Sequence, residues 1–174
     1  MDKADTGGPQ EQGSVARVRA ALLAAGHADT VRSFPEGTRT AEDAARAVGC
    51  TVAEIAKSLV FRLKGSARHV LVIASGADRV DLARLAAAVG GPVERAEGRW
   101  VREVSGFAIG GVAPLAHLSP PIVLVDARVM ALARVWAAAG SPAHLFETTP
   151  AALLTLSGGR VVEVAERAAA EGAA

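Results

Sequence analysis

The sequence predicts an α+β fold, a mixed β-sheet with helices packed around it, in preference to a doubly wound parallel sheet. Two observations carry this. Strand-like and helix-like segments alternate irregularly, with hairpins among them. About half of the 174 residues are apolar, which suits one domain with a sizeable core. No internal repeat is present.

Taken in order, residues 1–13 are polar and rich in Gly, Gln and Asp, and read as a disordered tail. They lack the apolar stretch of a signal peptide, and no apolar run is long enough to span a membrane. The single domain is expected over residues 14–165. A helix is predicted over 14–25, where Val15, Val18 and Leu22 recur at helical spacing and Ser14 caps. Residues 30–34 suggest a short strand, and Pro35-Glu36-Gly37 a turn. Thr40 caps a helix that stops at Gly49, with Asp43 at the capping-box position. Thr51 and Glu54 form a second capping box. Residues 55–63 and 69–74 are apolar strands around a polar glycine turn, a β-hairpin. Asp78 and Asp81 open a helix closed by Gly90-Gly91. Residues 92–95 are a candidate edge strand, and 98–104 are ambiguous. Residues 122–126 are a buried strand, 129–132 a helical turn and 135–138 another strand. Gly140-Ser141-Pro142 turns the chain into 143–146. Thr149, with Pro150 at the first helical position, starts the last helix, which ends at Gly158-Gly159. Residues 161–164 form a final strand, and 166–174 an alanine-rich, frayed tail.

One stretch stands apart. Residues 105–117 are apolar, glycine-rich and uncharged, and Pro114 lies near their end. Gly106, Gly110 and Gly111 make this a poor helix and a poor strand interior. Two readings stay open: a β-bulge or wide turn, or a tight loop whose bare N–H groups face an anion.

The chemistry-bearing residues are few. The formal charge is +1, which excludes a uniformly basic nucleic-acid binder but not a local basic patch, for which Arg95, Arg99 and Arg102 are candidates. Arginines number sixteen against three lysines, so Lys57, at the start of the most apolar hairpin, stands out. Such a lysine snorkels, pairs with an acid or faces a cavity. Asp126 ends a buried strand and suits a cap on the next turn. His117 and His144 each follow a Gly- or Pro-containing loop. Cys50, the sole cysteine, reads as a packed thiol. Trp100 and Trp136 read as core or rim. No zinc-spaced cluster, Walker loop, dinucleotide fingerprint, Gly-x-Ser-x-Gly or His-Glu-x-x-His is present, so neither metal nor cofactor is expected.

Three ordered blocks carry a resemblance: Thr38-Arg39-Thr40-Ala41-Glu42-Asp43-Ala44-Ala45, Ile55-Ala56-Lys57-Ser58-Leu59-Val60-Phe61, and Gly106-Phe107-Ala108-Ile109-Gly110-Gly111-Val112-Ala113-Pro114. Residues 123–126 and 139–159 follow the same pattern. The chain after its tail resembles the YbaK/ProX family of trans-editing aminoacyl-tRNA deacylases, itself similar to the editing domain of bacterial prolyl-tRNA synthetase. The resemblance implies a partly rolled central sheet surrounded by helices, and hydrolysis of a misacylated tRNA ester. It implies catalytic roles for Lys57, Gly110 and Gly111. Thr38, Ser58, Gly106, Phe107, Pro114, Asp126, Gly140 and His144 are the expected substrate-binding residues. The expected partner is the aminoacyl-tRNA acceptor end, with prolyl-tRNA synthetase as a further candidate, in the cytoplasm. Cysteine on the tRNA for proline is the first expected substrate, alanine the second. The family often has glycine ahead of the histidine after the loop, where this chain has Ala116. The alternative function is a binding module for a nucleotide or the tRNA acceptor end, without hydrolysis.

Overall fold

The computed structural model describes residues 9–167. The expected tails at 1–8 and 168–174 lie outside the described residues. Eight strands form one sheet: β1 Val31–Ser33, β2 Ile55–Leu63, β3 His69–Ser75, β4 Val93–Arg95, β5 Ile122–Asp126, β6 Val135–Ala138, β7 His144–Thr148 and β8 Arg160–Val162. The helices are α1 Pro9–Ala24, α2 Ala41–Val48, α3 Leu82–Val89, α4 Gly98–Ser105, α5 Ala127–Met130 and α6 Pro150–Ser157, with a 3-10 turn at Val52–Glu54. The strand order is β1-β7-β6-β2-β3-β5-β8, and β4 also pairs with β2. Parallel pairs (β2·β6, β3·β5, β5·β8) mix with antiparallel ones (β1·β7, β2·β3, β2·β4, β6·β7), the α+β arrangement expected.

The helix boundaries follow their caps. The Thr40 side chain accepts the Asp43 N–H at 3.0 Å, Asp81 accepts the Ala83 and Arg84 N–H groups, and Thr149 accepts that of Ala152. α1 departs from expectation by starting at Pro9 instead of residue 14. Gln10, Glu11 and Gln12 are good helix formers behind a proline at the first position. Ser14, expected as the cap, is buried inside the helix, where its hydroxyl bonds back to the Gln10 carbonyl at 2.9 Å. The ambiguous segment 98–104 is helical, and Gly106 terminates it at φ +79°. β8 ends at Val162, short of the expected 164. The chain is still held at Glu166, whose N–H donates to the Arg79 carbonyl at 2.8 Å, where fraying was expected to begin.

All seven residues of β3 are buried, because both faces of the sheet are covered there. One face carries Val15, Val18 and Leu22 of α1 together with Phe107, Val112, Ala113 and Leu115 of the glycine-rich stretch. These pack on Ala56, Leu71, Ile73, Ala137 and Phe146. The other face buries Leu85 of α3 against Phe61, Val70, Val72, Leu124 and Val164. Each fully buried side chain of this size stabilises by about 2 kcal/mol relative to exposure. A third cluster fixes α2 to the sheet through Ala44, Ala45, Ile55, Trp136 and Leu145.

β2 is the strand on which the site depends. Along one edge it pairs with β3 from Ala56 to Arg62. Its other edge is shared. β6 takes Ile55 and Ala56 in parallel, and β4 takes Phe61 to Leu63 antiparallel. Residues 57–60 have no strand partner on that edge, so the sheet parts there.

Asp126 closes the fold at the opposite end. One carboxylate oxygen accepts the Arg128 N–H at 3.0 Å and caps α5. The other accepts the buried Val164 and Ala165 N–H groups at 2.8 and 2.9 Å. Each buried donor left unpaired costs about 1–3 kcal/mol. Asp126→Ala is therefore expected to lose about 3 kcal/mol in urea unfolding, with a clear fall in melting temperature. A variant as stable as wild type would show that this clamp is dispensable.

Candidate active site

The parting of the sheet opens a cavity of about 330 Å³. Its floor is β2 from Ile55 to Val60, and its walls are the 38–41 segment, α2, and Ile109, Gly110 and Val112 of the glycine-rich stretch. Side chains alternate along a strand, so Ala56, Ser58 and Val60 share one face and Lys57 and Leu59 the other. At an open edge both sets reach the cavity. Of every two successive residues there, one directs its backbone N–H and C=O into the gap.

Three loops are pressed together around this cavity. The Thr38 N–H and hydroxyl both donate to the Pro142 carbonyl, at 2.6 and 3.0 Å. The Gly111 N–H donates to the Ala108 carbonyl at 2.9 Å, closing a four-residue turn with Gly110 at φ +91°. Positive φ at the third position is the type II pattern, which favours glycine. A Cβ on Gly111 would lie 2.6 Å from the Ser141 carbonyl carbon, whereas one on Gly110 would meet only Arg39 atoms at 3.7 Å. Gly111 is therefore spent on packing and Gly110 faces the cavity.

Of the eleven residues the sequence put forward, the structure brings Thr38, Lys57, Ser58 and Gly110 together at the cavity. The other seven do not line it. The Gly111 N–H is used within the turn. Gly106 caps α4, and a Cβ there would come 2.5 Å from an Arg17 guanidinium nitrogen. Phe107 is fully buried beneath that guanidinium, 4.7 Å from ring centre to Cζ. Pro114 is buried in the core. Gly140, at φ +101°, lies against the α1 backbone, with a built Cβ 2.8 Å from the Ser14 carbonyl oxygen. His144 is buried on β7 with Nδ1 2.6 Å from the Ser141 hydroxyl. Asp126 belongs to the clamp already described. The stretch 105–117 is neither a bulge nor a row of bare N–H groups. Only its turn and Val112 reach the cavity, and most of the rest is core.

The electrostatics single out two side chains. Lys57 Nζ donates to the Asp78 carbonyl. Burial pushes its ammonium below the usual range, Asp78 and Glu42 pull it back up, and Arg79 opposes them. Ser58 Oγ is buried in the cavity wall and has no hydrogen-bond partner among the described residues. An orphaned buried hydroxyl costs free energy that a ligand contact recovers. Small side chains, Ala41, Ala44, Ala56 and Ala138, leave the space open. Arg39, next to Thr38, also lines the cavity, and no sequence signal beyond that neighbour marks it. A basic patch of Arg95, Arg99 and Arg102 is expected from the sequence. That patch is dispersed: Arg99 pairs with Glu103, Arg102 bonds Gln10, and Arg95 lines the cavity. No group of three or more His, Cys, Asp or Glu side chains among the described residues suits a metal ion.

Behind the cavity wall, His117 donates from Nε2 to the Ala113 carbonyl at 2.7 Å. Its Nδ1 then accepts from His69 Nε2 at 2.9 Å, an assignment set by the carbonyl at the end of the chain. His69 Nδ1 is left a buried acceptor without a partner. Ala116, standing where the family often has glycine, adopts φ +62°, a left-handed conformation rare for residues with a Cβ.

A family model of the aminoacyl-tRNA editing domain matches residues 35–156, most of the chain. The chain belongs to the aminoacyl-tRNA editing domain family. A crystal structure described as "a putative trans-editing enzyme for prolyl tRNA synthetase" superposes with a TM-score of 0.84 at 40% identity, over 93% of this chain and all of that one. A second, of the hypothetical protein APE2540, gives 0.80 at 27% identity, over 86% of this chain and 99% of the other. Among curated proteins, the uncharacterized protein YwhH of Bacillus subtilis (strain 168) is 31% identical over 131 residues, 75% of this chain and 83% of its own length. The matched region spans the cavity, all three loops around it and β2. The family's activity is editing of aminoacyl-tRNA, and no helix among the described residues is long and apolar enough to cross a membrane.

Two outcomes follow from this geometry. Gly111→Ala and Gly140→Ala meet backbone atoms and are expected to lower the melting temperature strongly, by about 2 kcal/mol or more. Gly110→Ala pays only the strain of a positive φ, about 1–2 kcal/mol. Equal melting losses for all three would contradict the separation of packing from cavity-facing glycines. The second outcome concerns pH. Burial, helped by His117 and Arg68, pushes His69 down to about 4 from its ordinary 6.5. Between those values the unfolded chain binds a proton that the folded chain refuses, so stability is full above pH 6.5 and falls as pH drops toward 4. The expected loss is about 3 kcal/mol, read from urea unfolding across that range. A flat profile would mean that His69 is solvated or paired.

Proposed function

We propose that this protein is a trans-acting deacylase that hydrolyses the ester of a small amino acid wrongly attached to the tRNA for proline, cysteine first and alanine second. The observation that carries the reading is the convergence of Lys57, Ser58 and the Gly110 turn on a small, alanine-lined cavity at an open strand edge. The family supports the substrate class, and the 40% identical structure described as "a putative trans-editing enzyme for prolyl tRNA synthetase" supports the choice of the tRNA for proline.

Water, or first the neighbouring ribose hydroxyl, attacks the ester carbonyl. The carbonyl oxygen becomes an oxyanion, the acyl–oxygen bond then breaks, and the ribose oxygen takes up a proton. Net addition of one water gives free amino acid and uncharged tRNA. The Gly110 N–H has no acceptor among the described residues and is the donor proposed for the oxyanion. The Lys57 ammonium adds positive charge beside it. Ser58 Oγ receives a polar group of the amino acid. The alanines around the cavity admit small side chains and reject larger ones, a selection of about 10- to 200-fold per methylene. Thr38 shapes the wall; Gly106, Phe107, Pro114, Gly140 and His144 act at a distance by holding the loops, and Asp126 serves the fold alone.

The test is incubation with cysteinyl-, alanyl- and prolyl-tRNA for proline, following ester loss against a protein-free control. Loss of the cysteinyl or alanyl ester, with the prolyl ester spared, is expected. Binding of charged tRNA without ester loss would favour the non-catalytic module. Lys57→Ala is expected to melt as wild type and lose about 100-fold in rate, the size of one lost oxyanion-stabilising contact. Lys57→Arg should restore only part, because a planar fork does not replace a point ammonium. Wild-type rates in a folded Lys57→Ala would remove the lysine from the mechanism.

A further inference from the structure

We infer that Arg39 and Arg95 form a phosphate-binding pair at the mouth of the cavity, which takes the phosphodiester backbone at the single-stranded 3′ end of the tRNA. The inference rests on the deacylase reading and adds the part of the substrate that lies beyond the ester.

The cavity lining contains three cations, Arg39, Lys57 and Arg95, and no carboxylate. That imbalance is local, because the chain as a whole carries a formal charge of only +1. Elsewhere most arginines are engaged. Arg19, Arg46, Arg99, Arg128 and Arg134 pair with acids, and Arg17, Arg68, Arg84 and Arg160 bond backbone carbonyls. Arg62 lies over the Trp100 ring at 3.9 Å. Arg39 and Arg95 are exposed, and neither side chain has a hydrogen bond, ion pair or ring contact among the described residues.

The aminoacyl group does not explain these charges. Its ester is neutral and its α-amino group is a cation at neutral pH, so neither calls for an arginine. Lys57 is already tied to the Asp78 carbonyl. The remaining anion of an aminoacyl-tRNA is its phosphate backbone, and arginine matches a phosphate with two parallel donors.

The two side chains sit on separate elements at different points of the cavity. Arg39 lies against the Gly110 turn, within 3.7 Å of where a Cβ on that glycine would stand. Arg95 stands on β4 opposite Phe61 of β2. Phe61 is four residues beyond Lys57, about 13 Å of extended strand. The ester end of the substrate therefore lies beside Arg39, Lys57 and Gly110, and the chain leaves past Arg95. The unpartnered stretch of β2 is the surface between them.

The test compares two substrates. One is the full aminoacyl-tRNA, and the other is the same amino acid esterified to adenosine, which has no phosphate. For Arg39→Ala/Arg95→Ala, kcat/KM on the tRNA is expected to fall at least about tenfold more than on the nucleoside ester, mostly through KM. The slope of log(kcat/KM) against log salt should flatten by about 1.4 for two lost single-strand phosphate contacts. Arg39→Lys/Arg95→Lys should keep the salt slope and recover part of KM. Melting curves check that each variant folds. Equal losses on both substrates, or an unchanged salt slope, would overturn the pair. If wild-type protein hydrolyses neither ester, the deacylase reading fails. Salt-dependent binding of a short uncharged RNA ending in CCA, weakened in the alanine double variant, would then still support the arginine pair, and binding equal to wild type would overturn it.

Discussion

The site exists because two strands divide one edge of β2 between them. β6 arrives in parallel and stops at Ala56, while β4 arrives antiparallel and stops at Phe61. The residues between are strand residues with one edge unsatisfied. In most sheets an open edge is covered or blunted, because it invites pairing. Here it is sunk between α2, the 38–41 segment and the Gly110 turn, where only a small ligand reaches it. A sheet paired along the whole of β2 would have no cavity, whatever side chains it carried.

Keeping such a gap open requires rigid walls, and the conserved-volume logic of close packing supplies them. The turn at Gly110 cannot collapse inward, because its neighbour Gly111 is held backbone to backbone against Ser141. That segment is held in turn by Thr38 at Pro142 and by His144 at Ser141. Beneath it lie Phe107 and the His69–His117 pair, anchored to the Ala113 carbonyl. Arg17 of α1 reaches across to the Ser105, Gly106 and Ala116 carbonyls and ties down both ends of the stretch. Most of the residues of the glycine-rich stretch thus serve function indirectly, by fixing the few atoms that face the ligand.

The electrostatic design follows the same division. Charges that stabilise the fold are neutralised in place, as with Arg128 on Asp78 and Arg134 between Glu54 and Glu147. Lys57 is partly desolvated, and its position is fixed by a main-chain carbonyl instead of a carboxylate, which leaves its charge available to the cavity. Arg39 and Arg95 are left with no partner among the described residues. A near-neutral protein thereby presents a concentrated positive field at one place.

Much of this was legible in the sequence. Period-two and helical patterns located the β2–β3 hairpin, α2, α3 and α6, and the cap residues Thr40, Asp81 and Thr149 act as their types predict. The alternation of elements gave the α+β class, and three ordered blocks gave the family. Lys57, Ser58, Thr38 and Gly110 were picked out and do meet at one cavity. The sequence alone could not separate Gly110 from Gly111, or Arg95 from Arg99 and Arg102. Adjacent glycines have identical local preferences, and neighbouring arginines identical charges. What distinguishes the glycines is which atoms approach from elsewhere in the chain, Ser141 against Gly111 and open cavity before Gly110. Arg99 has Glu103 one helical turn on, a local pair, whereas only the tertiary arrangement brings Arg95 to the cavity. Local pattern therefore determined the elements and the candidate chemistry, while the split pairing along β2 decided where a substrate fits.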